Sequence, residues 1–237
     1  MSRDDLMAGR ERADGPSRWF ADADAYDAWF DQPWGRYATS VEHDLLLDAM
    51  GPVAGLEVCD AGCGTGRFTA RLELLGARVV GVDRDRASIE LARGRVAGGV
   101  VAGDVQHLPF ENDCFDATVA VTVCEFAADP GAVIAELARV TRPGGRVVIG
   151  SLQRSSPWGW WNRRQFRRPP WDAARFVASD DLDLVAHVHG ATCRTRGLYA
   201  PAALPGITRW GPMLERAGRR VAPRHAAFEV VTIAIPG

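Results

Sequence analysis

The stretch Leu56-Glu57-Val58-Cys59-Asp60-Ala61-Gly62-Cys63-Gly64-Thr65-Gly66-Arg67-Phe68 limits what this 237-residue chain can fold into more than any other part of it. A short apolar run leads into a loop with glycine at every second position. Behind the loop, Phe68, Leu72 and Leu75 recur at i, i+4 and i+7, one face of a helix. The order is strand, glycine loop, helix. Glycines let the backbone turn sharply and approach a ligand closely. The helix adds its unpaired N–H groups and positive dipole end to the same space.

The spacing narrows the ligand. A dinucleotide fingerprint is G-x-G-x-x-G/A. Gly62 and Gly64 fit its first two places, but the third falls on Arg67. A Walker loop needs lysine after its last glycine, and all 28 basic side chains of this chain are arginine. An NAD-dependent oxidoreductase therefore stays a disfavoured alternative. The net charge of −2 gives no global pull toward nucleic acid or anionic membrane. The five cysteines, Cys59, Cys63, Cys114, Cys124 and Cys193, have neither C-x-x-C nor zinc spacing. Their odd number fits a reducing compartment, and Cys59 and Cys63 are expected to pack as small apolar groups. His43, His187, His189 and His225 share no ligand spacing with an acid, so no metal is expected. With no run of membrane-spanning length and no signal-type segment, the expected location is cytoplasmic.

Residues 1–17 are polar and are expected to be disordered. Tyr26, Trp29 and Phe30 fall at i, i+3 and i+4, a short amphipathic helix. Asp31 to Tyr37 reads as a break. A second helix over about 39–50 carries Val41, Leu45 and Leu46. Strands are expected at Arg78–Asp83, Val100–Gly103, Phe115–Thr122 and Arg146–Gly150. Helices are expected over 85–95, 130–141 and 179–189, the last with Leu182, Val185 and Ala186 inward. Further strands are expected near 191–198 and 227–235. Asp83 ends the second strand, where a carboxylate can accept from both hydroxyls of a ribose. It can also cap the helix after it, a job open to Asp85.

Several segments occur in one order: Asp60 to Gly66, Asp83, Gly103-Asp104 with Leu108-Pro109-Phe110, Phe115-Asp116, and Arg142-Pro143-Gly144-Gly145. Across roughly residues 55–150 this combination resembles class I S-adenosylmethionine (SAM)-dependent methyltransferases, in particular the broad group that includes the ubiquinone/menaquinone-biosynthesis enzymes. The resemblance implies an α/β, Rossmann-like class I methyltransferase fold. Its seven-stranded, mostly parallel sheet would be flanked by helices, in the order 3-2-1-4-5-7-6 with the seventh strand antiparallel. It implies one domain over 18–237, with an N-terminal helical cover (18–51) and a lid-like insertion (151–178). It implies SAM as methyl donor and S-adenosylhomocysteine as product. The implied cofactor-binding set is Asp60, Gly62, Gly64 and Gly66 of the loop, Asp83 for the ribose and Arg84 next to it, Asp104 with Val105 for the adenine, and Val121 at the end of strand four. Tyr26 and Arg36 of the cover are expected near the sulfonium and the methionine carboxylate, where arginine's fork suits the anion.

Transfer from SAM is an in-line displacement that mainly requires positioning of the nucleophile. Glu125 and His107 are candidate bases. The stretch after strand four has no N/D-P-P-Y sequence, and no P-C pair precedes a strand end, so nucleic-acid methylation is not expected. The expected acceptor is a small molecule. The segment Ser156 to Trp171 is rich in tryptophan and arginine, which suits an apolar or aromatic acceptor carrying an acid group, or a peripheral membrane contact. A SAM-binding protein without catalysis, and a nucleic-acid or protein methyltransferase, stay open as alternatives.

Overall fold

A computed structural model describes residues 23–153, 156, 174, 182, 185–200 and 206–237. The expected disordered residues 1–17 and the core of the lid-like insertion lie outside them. Two helices, α1 (Ala23–Trp29) and α2 (Pro33–Met50), precede the sheet. Then come β1 (Glu57–Ala61), α3 (Arg67–Leu74), β2 (Arg78–Asp83), α4 (Arg86–Arg93), β3 (Gly99–Ala102), β4 (Phe115–Val121), α5 (Pro130–Val140) and β5 (Thr141–Leu152). The described chain ends with β6 (Ala191–Gly197), α6 (Ile207–Val221) and β7 (Phe228–Ala234). The sheet order is β3-β2-β1-β4-β5-β7-β6, and β7 runs antiparallel to both of its neighbours. This is the expected order, and it is that of the class I methyltransferase fold.

Strand side chains alternate between faces, and the core divides accordingly. Val58, Val148 and Val230 pack with Leu46 and Met50 of α2 and with Phe68 and Leu72 of α3. Their strand neighbours Cys59, Val147 and Val231 pack on the other face with Val133, Ile134 and Leu137 of α5, joined by Leu182 and Ala186. Burial on both faces explains why these strands read as continuous apolar runs. Cys59, Cys63 and Cys124 are buried, and all five cysteines are free thiols.

The structure corrects the sequence reading in four places. First, α2 begins at Pro33, within the expected break. Proline suits a first helical turn, whose N–H has no partner in any case. A Cβ on Gly35 would lie 2.2 Å from the Trp29 carbonyl oxygen, so this glycine marks close packing of α2 on α1. Second, Leu75 lies past the end of α3 and is 39% exposed; Phe68, Thr69 and Leu72 form the buried face. Third, Arg142 to Gly145 is a bulge within β5: Phe115 pairs with Thr141 and Ala117 with Arg146. Fourth, α6 was not anticipated. Its contact face includes Gly211 and Gly218, whose added Cβ atoms would sit 2.2 Å from the Tyr37 ring and 2.3 Å from the Tyr199 side chain. Glycine at those points gives close packing and no hydrophobic signal.

Candidate functional site

The strand order reverses direction between β1 and β4, and open α/β sheets bind ligands outside the strand ends at such a point. A cavity of about 180 Å³ lies there. Its floor is the glycine loop. Gly62 and Cys63 donate backbone N–H groups to the Val82 carbonyl at 2.7 and 3.0 Å, tying the loop to the end of β2. Gly62, Gly64 and Gly66 all have positive φ (77°, 53° and 78°), a region that L side chains rarely adopt. A Cβ on Gly62 would meet Val123 Cγ2 at 2.3 Å, and one on Gly66 would meet Ala92 at 3.0 Å. At Gly64 there is nothing within 4 Å. Gly64 thus leaves open space at the cavity, while its neighbours are glycine because protein packs against them.

Asp83 is buried beside this floor. It accepts from the Gly64 N–H at 2.8 Å and from the Asp85 N–H at 2.9 Å. Burial raises its pKa, and those backbone N–H groups partly offset the rise. The Arg84 N–H also donates to it; since two carboxylate oxygens offer about four lone-pair sites, acceptor capacity remains for a ligand. Asp85, not Asp83, caps α4, accepting from the Ser88 N–H at 2.9 Å. Asp60 is also buried and accepts from the Thr69 hydroxyl at 2.6 Å. Burial, with the charge of Asp83 added, pushes its pKa up to about 6 despite that hydrogen bond.

The cover helix α1 is fastened to the loop through Asp27. Its carboxylate accepts from Arg67 Nε at 2.7 Å, from Arg95 Nη2 at 2.8 Å and from Thr65 Oγ1 at 2.6 Å. Arg95 also donates to the Thr65 carbonyl. Burial alone would raise the pKa of Asp27, but the three donors outweigh it and hold the carboxyl far below its usual range. The latch brings Tyr26 and Phe30 into the cavity wall. The Tyr26 phenol is pushed well above its usual pKa, first by burial and then by the charges of Glu42, Asp83 and Asp27.

Another part of the wall comes from α2. Thr39, Glu42 and His43 stand at i, i+3 and i+4, on the stripe that continues into Leu46 and Met50 of the core. The His43 ring lies 4.8 Å from that of Phe68. Burial, with Arg71 and Arg67 nearby, lowers its pKa to about 4. Burial and the charge of Glu125 push Glu42 up to about 7. Glu125 is 1% exposed, and burial raises its pKa also to about 7. Its Oε1 accepts from the Leu152 N–H at 2.6 Å, while its Oε2 has no partner. Thr122, next to Val121 in the wall, is a β-branched residue at φ 51°, a strained conformation.

Of the expected cofactor-binding residues, the cavity wall contains Tyr26, Asp60, Gly62, Gly64, Asp83, Arg84, Asp104, Val105 and Val121. Gly66 lies outside the wall, at the N-cap of α3. Arg36 is exposed on α2 and lies outside it too. Glu125 sits behind the wall between its residues Val123 and Phe126. His107 is exposed outside the cavity, on a turn in which its N–H donates to the Asp104 carbonyl at 2.9 Å. Sequence reasoning missed Thr39, Glu42, His43 and the Asp27 latch. The signal for the first three was present: polar residues on the stripe of α2 that is otherwise core.

A family model described as a methyltransferase domain matches residues 59–149. These residues match a methyltransferase domain, and the sheet order is that of the class I methyltransferase fold. The match to the domain covers the glycine loop, Asp83, Asp104 and β4. An uncharacterized protein of Mycobacterium tuberculosis is 35% identical over 195 residues, covering 80% of this chain and 65% of its own length. A demethylmenaquinone methyltransferase of Clavibacter sepedonicus is 39% identical over 105 residues, 43% of each chain. Among solved structures, a SAM-dependent methyltransferase from Thermotoga maritima, described as a possible histamine N-methyltransferase, superposes with a TM-score of 0.73 at 22% identity. That alignment covers 90% of this chain and 96% of the other, and it shows a shared fold. The matched region thus accounts for the middle of the chain, while the α2 wall and Asp27 lie before it, and the latch joins Asp27 to Thr65, Arg67 and Arg95 within it. Among the described residues, no helix is long and apolar enough to cross a membrane.

Proposed function

We propose that this protein transfers a methyl group from SAM to a small-molecule acceptor. The observation that carries the reading is the cavity at the strand-order reversal, floored by Gly64 with open space at its Cα and flanked by Asp83. The donor set fits SAM. Asp83 has acceptor capacity left for ribose hydroxyls, and Asp104 and Val105 stand in the same wall for the adenine amine and ring face. Tyr26 supplies an aromatic ring to the cavity, a face that attracts a cation. Bound SAM supplies an electrophilic methyl on a positively charged sulfur. The chain's own residues then orient the donor, hold α1 over it through Asp27 and keep water out. The partial likeness to the Clavibacter enzyme supports a finer grouping with the quinone-biosynthesis methyltransferases. The acid-bearing aromatic acceptor expected from the Trp/Arg segment rests on residues outside those described.

Calorimetry with SAM and S-adenosylhomocysteine tests the reading. Wild-type protein should bind both, and Gly64→Val, which projects a branched side chain into the open space, should weaken both by at least about tenfold, in line with the ~1–3 kcal/mol cost of overpacking. Asp83→Asn should also weaken both. A folded Gly64→Val protein with unchanged affinity would rule out this site.

A further inference from the structure

Resting on that reading, we infer that Glu42, with Thr39 beside it on α2, is the acceptor-recognising group, and that the acceptor presents an N–H or O–H donor rather than a carboxylate. Three observations converge. Thr39 and Glu42 line the same cavity as Gly64 and Asp83, but from the α2 side. The Thr39 hydroxyl oxygen is buried without a hydrogen-bond partner, a costly state for a polar atom unless something else completes it. The wall is also rich in acids: Glu42, Asp60, Asp83, Asp85 and Asp104 all belong to it. Its described cationic residues are Arg67 and Arg84. Arg67 is already engaged by Asp27 and Asp31, and Arg84 adjoins Asp83, on the donor side.

Above about pH 7, where Glu42 is ionised, a carboxylate placed against the α2 wall would meet Glu42 with Glu125 behind it, a like-charge contact. An amine or alcohol would give Glu42 a donor, and Thr39 a partner once its side chain turns the buried hydroxyl toward the cavity. The raised pKa of Glu42 follows from its burial and from the charge of Glu125. His43, neutral at physiological pH and packed on Phe68, shapes the wall without adding charge. An acceptor carrying an acid group, as the arginine-rich segment led us to expect, becomes the competing outcome of the test.

The test uses the full chain saturated with S-adenosylhomocysteine and matched probes on one skeleton: 2-phenylethylamine, 2-phenylethanol and phenylacetate, then hexylamine, hexanol and hexanoate. Calorimetry and thermal shift should show the amines and alcohols binding at least about tenfold more tightly than the acids. Glu42→Gln should erase that preference, lowering amine affinity about tenfold, and leave S-adenosylhomocysteine affinity within about twofold, as loss of one hydrogen bond to a charged group predicts. Thr39→Val should weaken the same probes less and carries the test if Glu42→Gln melts early. Acids binding as well as amines, an unchanged preference in both variants, or no donor probe binding to the loaded protein would each overturn the inference. Failure of wild-type protein to bind S-adenosylhomocysteine would instead overturn the methyltransferase reading beneath it.

Discussion

The two walls of the cavity are built by different means. The loop wall is backbone: Gly62 and Gly64 in left-handed conformations, tied to Val82 and Asp83 at the end of β2. The α2 wall is side chains on a regular helix, Thr39, Glu42 and His43, delivered from before the first strand. The loop wall tolerates almost no change because its conformation excludes side chains. The α2 wall tolerates change in shape but not in charge, because burial amplifies electrostatics. One wall therefore suits a constant ligand and the other a variable one.

The sharpest way to break this comparison lies within the loop wall. Gly62→Ala must place a Cβ against Val123 at a positive φ, and Val123 is β-branched and stiff at χ1. We expect a loss of about 2–4 kcal/mol, combining left-handed backbone strain with overpacking. Gly64→Ala carries only the backbone part, about 1–2 kcal/mol. Denaturant melts giving the two variants equal stability would show that the loop is softer than its geometry implies.

Next in size is the latch that joins the cover to the loop. Asp27→Ala removes the shared acceptor of Arg67, Arg95 and Thr65. The arginines are partly exposed, with side-chain accessibilities of 24% and 29%. Screening therefore reduces the loss to about 1–3 kcal/mol. It should appear as faster amide exchange in α1 and weaker SAM binding, with the exchange of β1 and β4 amides unchanged. Protection of α1 equal to wild type would show that Tyr26, Trp29 and Phe30 hold the helix without the latch.

The α2 wall makes a pH prediction of smaller size. A carboxyl whose pKa is higher in the folded than in the unfolded state binds more protons when folded, so stability falls as pH rises between the two values. For Glu42 and Glu125 that window runs from 4.5 to about 7, and for Asp60 from 3.8 to about 6. His43 acts oppositely, adding stability as pH rises from about 4 to 6.5. Above pH 6.5 the histidine contribution is complete, and the ligand-free protein should lose stability toward about pH 7.5 through the two glutamates. Glu42→Gln should flatten that decline. An unchanged slope would show that Glu42 is better solvated than its position on the wall indicates.

The smallest effect is at Asp85, which lines the cavity beside Asp83 and caps α4. Asp85→Ala removes the cap of α4 and should cost about 1 kcal/mol, with SAM affinity reduced less than in Asp83→Asn. Equal losses of affinity would mean that Asp85, not Asp83, is the principal contact on that side.

Sequence alone determined the strand, glycine loop and helix at 57–74 and the acid ending β2, while the strand order came from the family resemblance. The first two are local or periodic: positive φ demands glycine, and burial on both faces of the sheet demands continuous apolar runs. It misplaced the start of α2 and missed α6, because Gly35, Gly211 and Gly218 mark close approach between helices and leave no hydrophobic trace. Only the tertiary structure decided that Asp27 fastens the cover, that Asp85 rather than Asp83 caps α4, that His107 stands outside the cavity, and that Glu42 faces it. The latch depends on partners 38 or more residues away, Asp83 is drawn from the cap by the Gly64 N–H 19 residues away, and the last two depend on which side of a turn or packed helix meets the strand ends. No local propensity encodes that, because only the assembled core sets the angle at which α2 crosses the sheet.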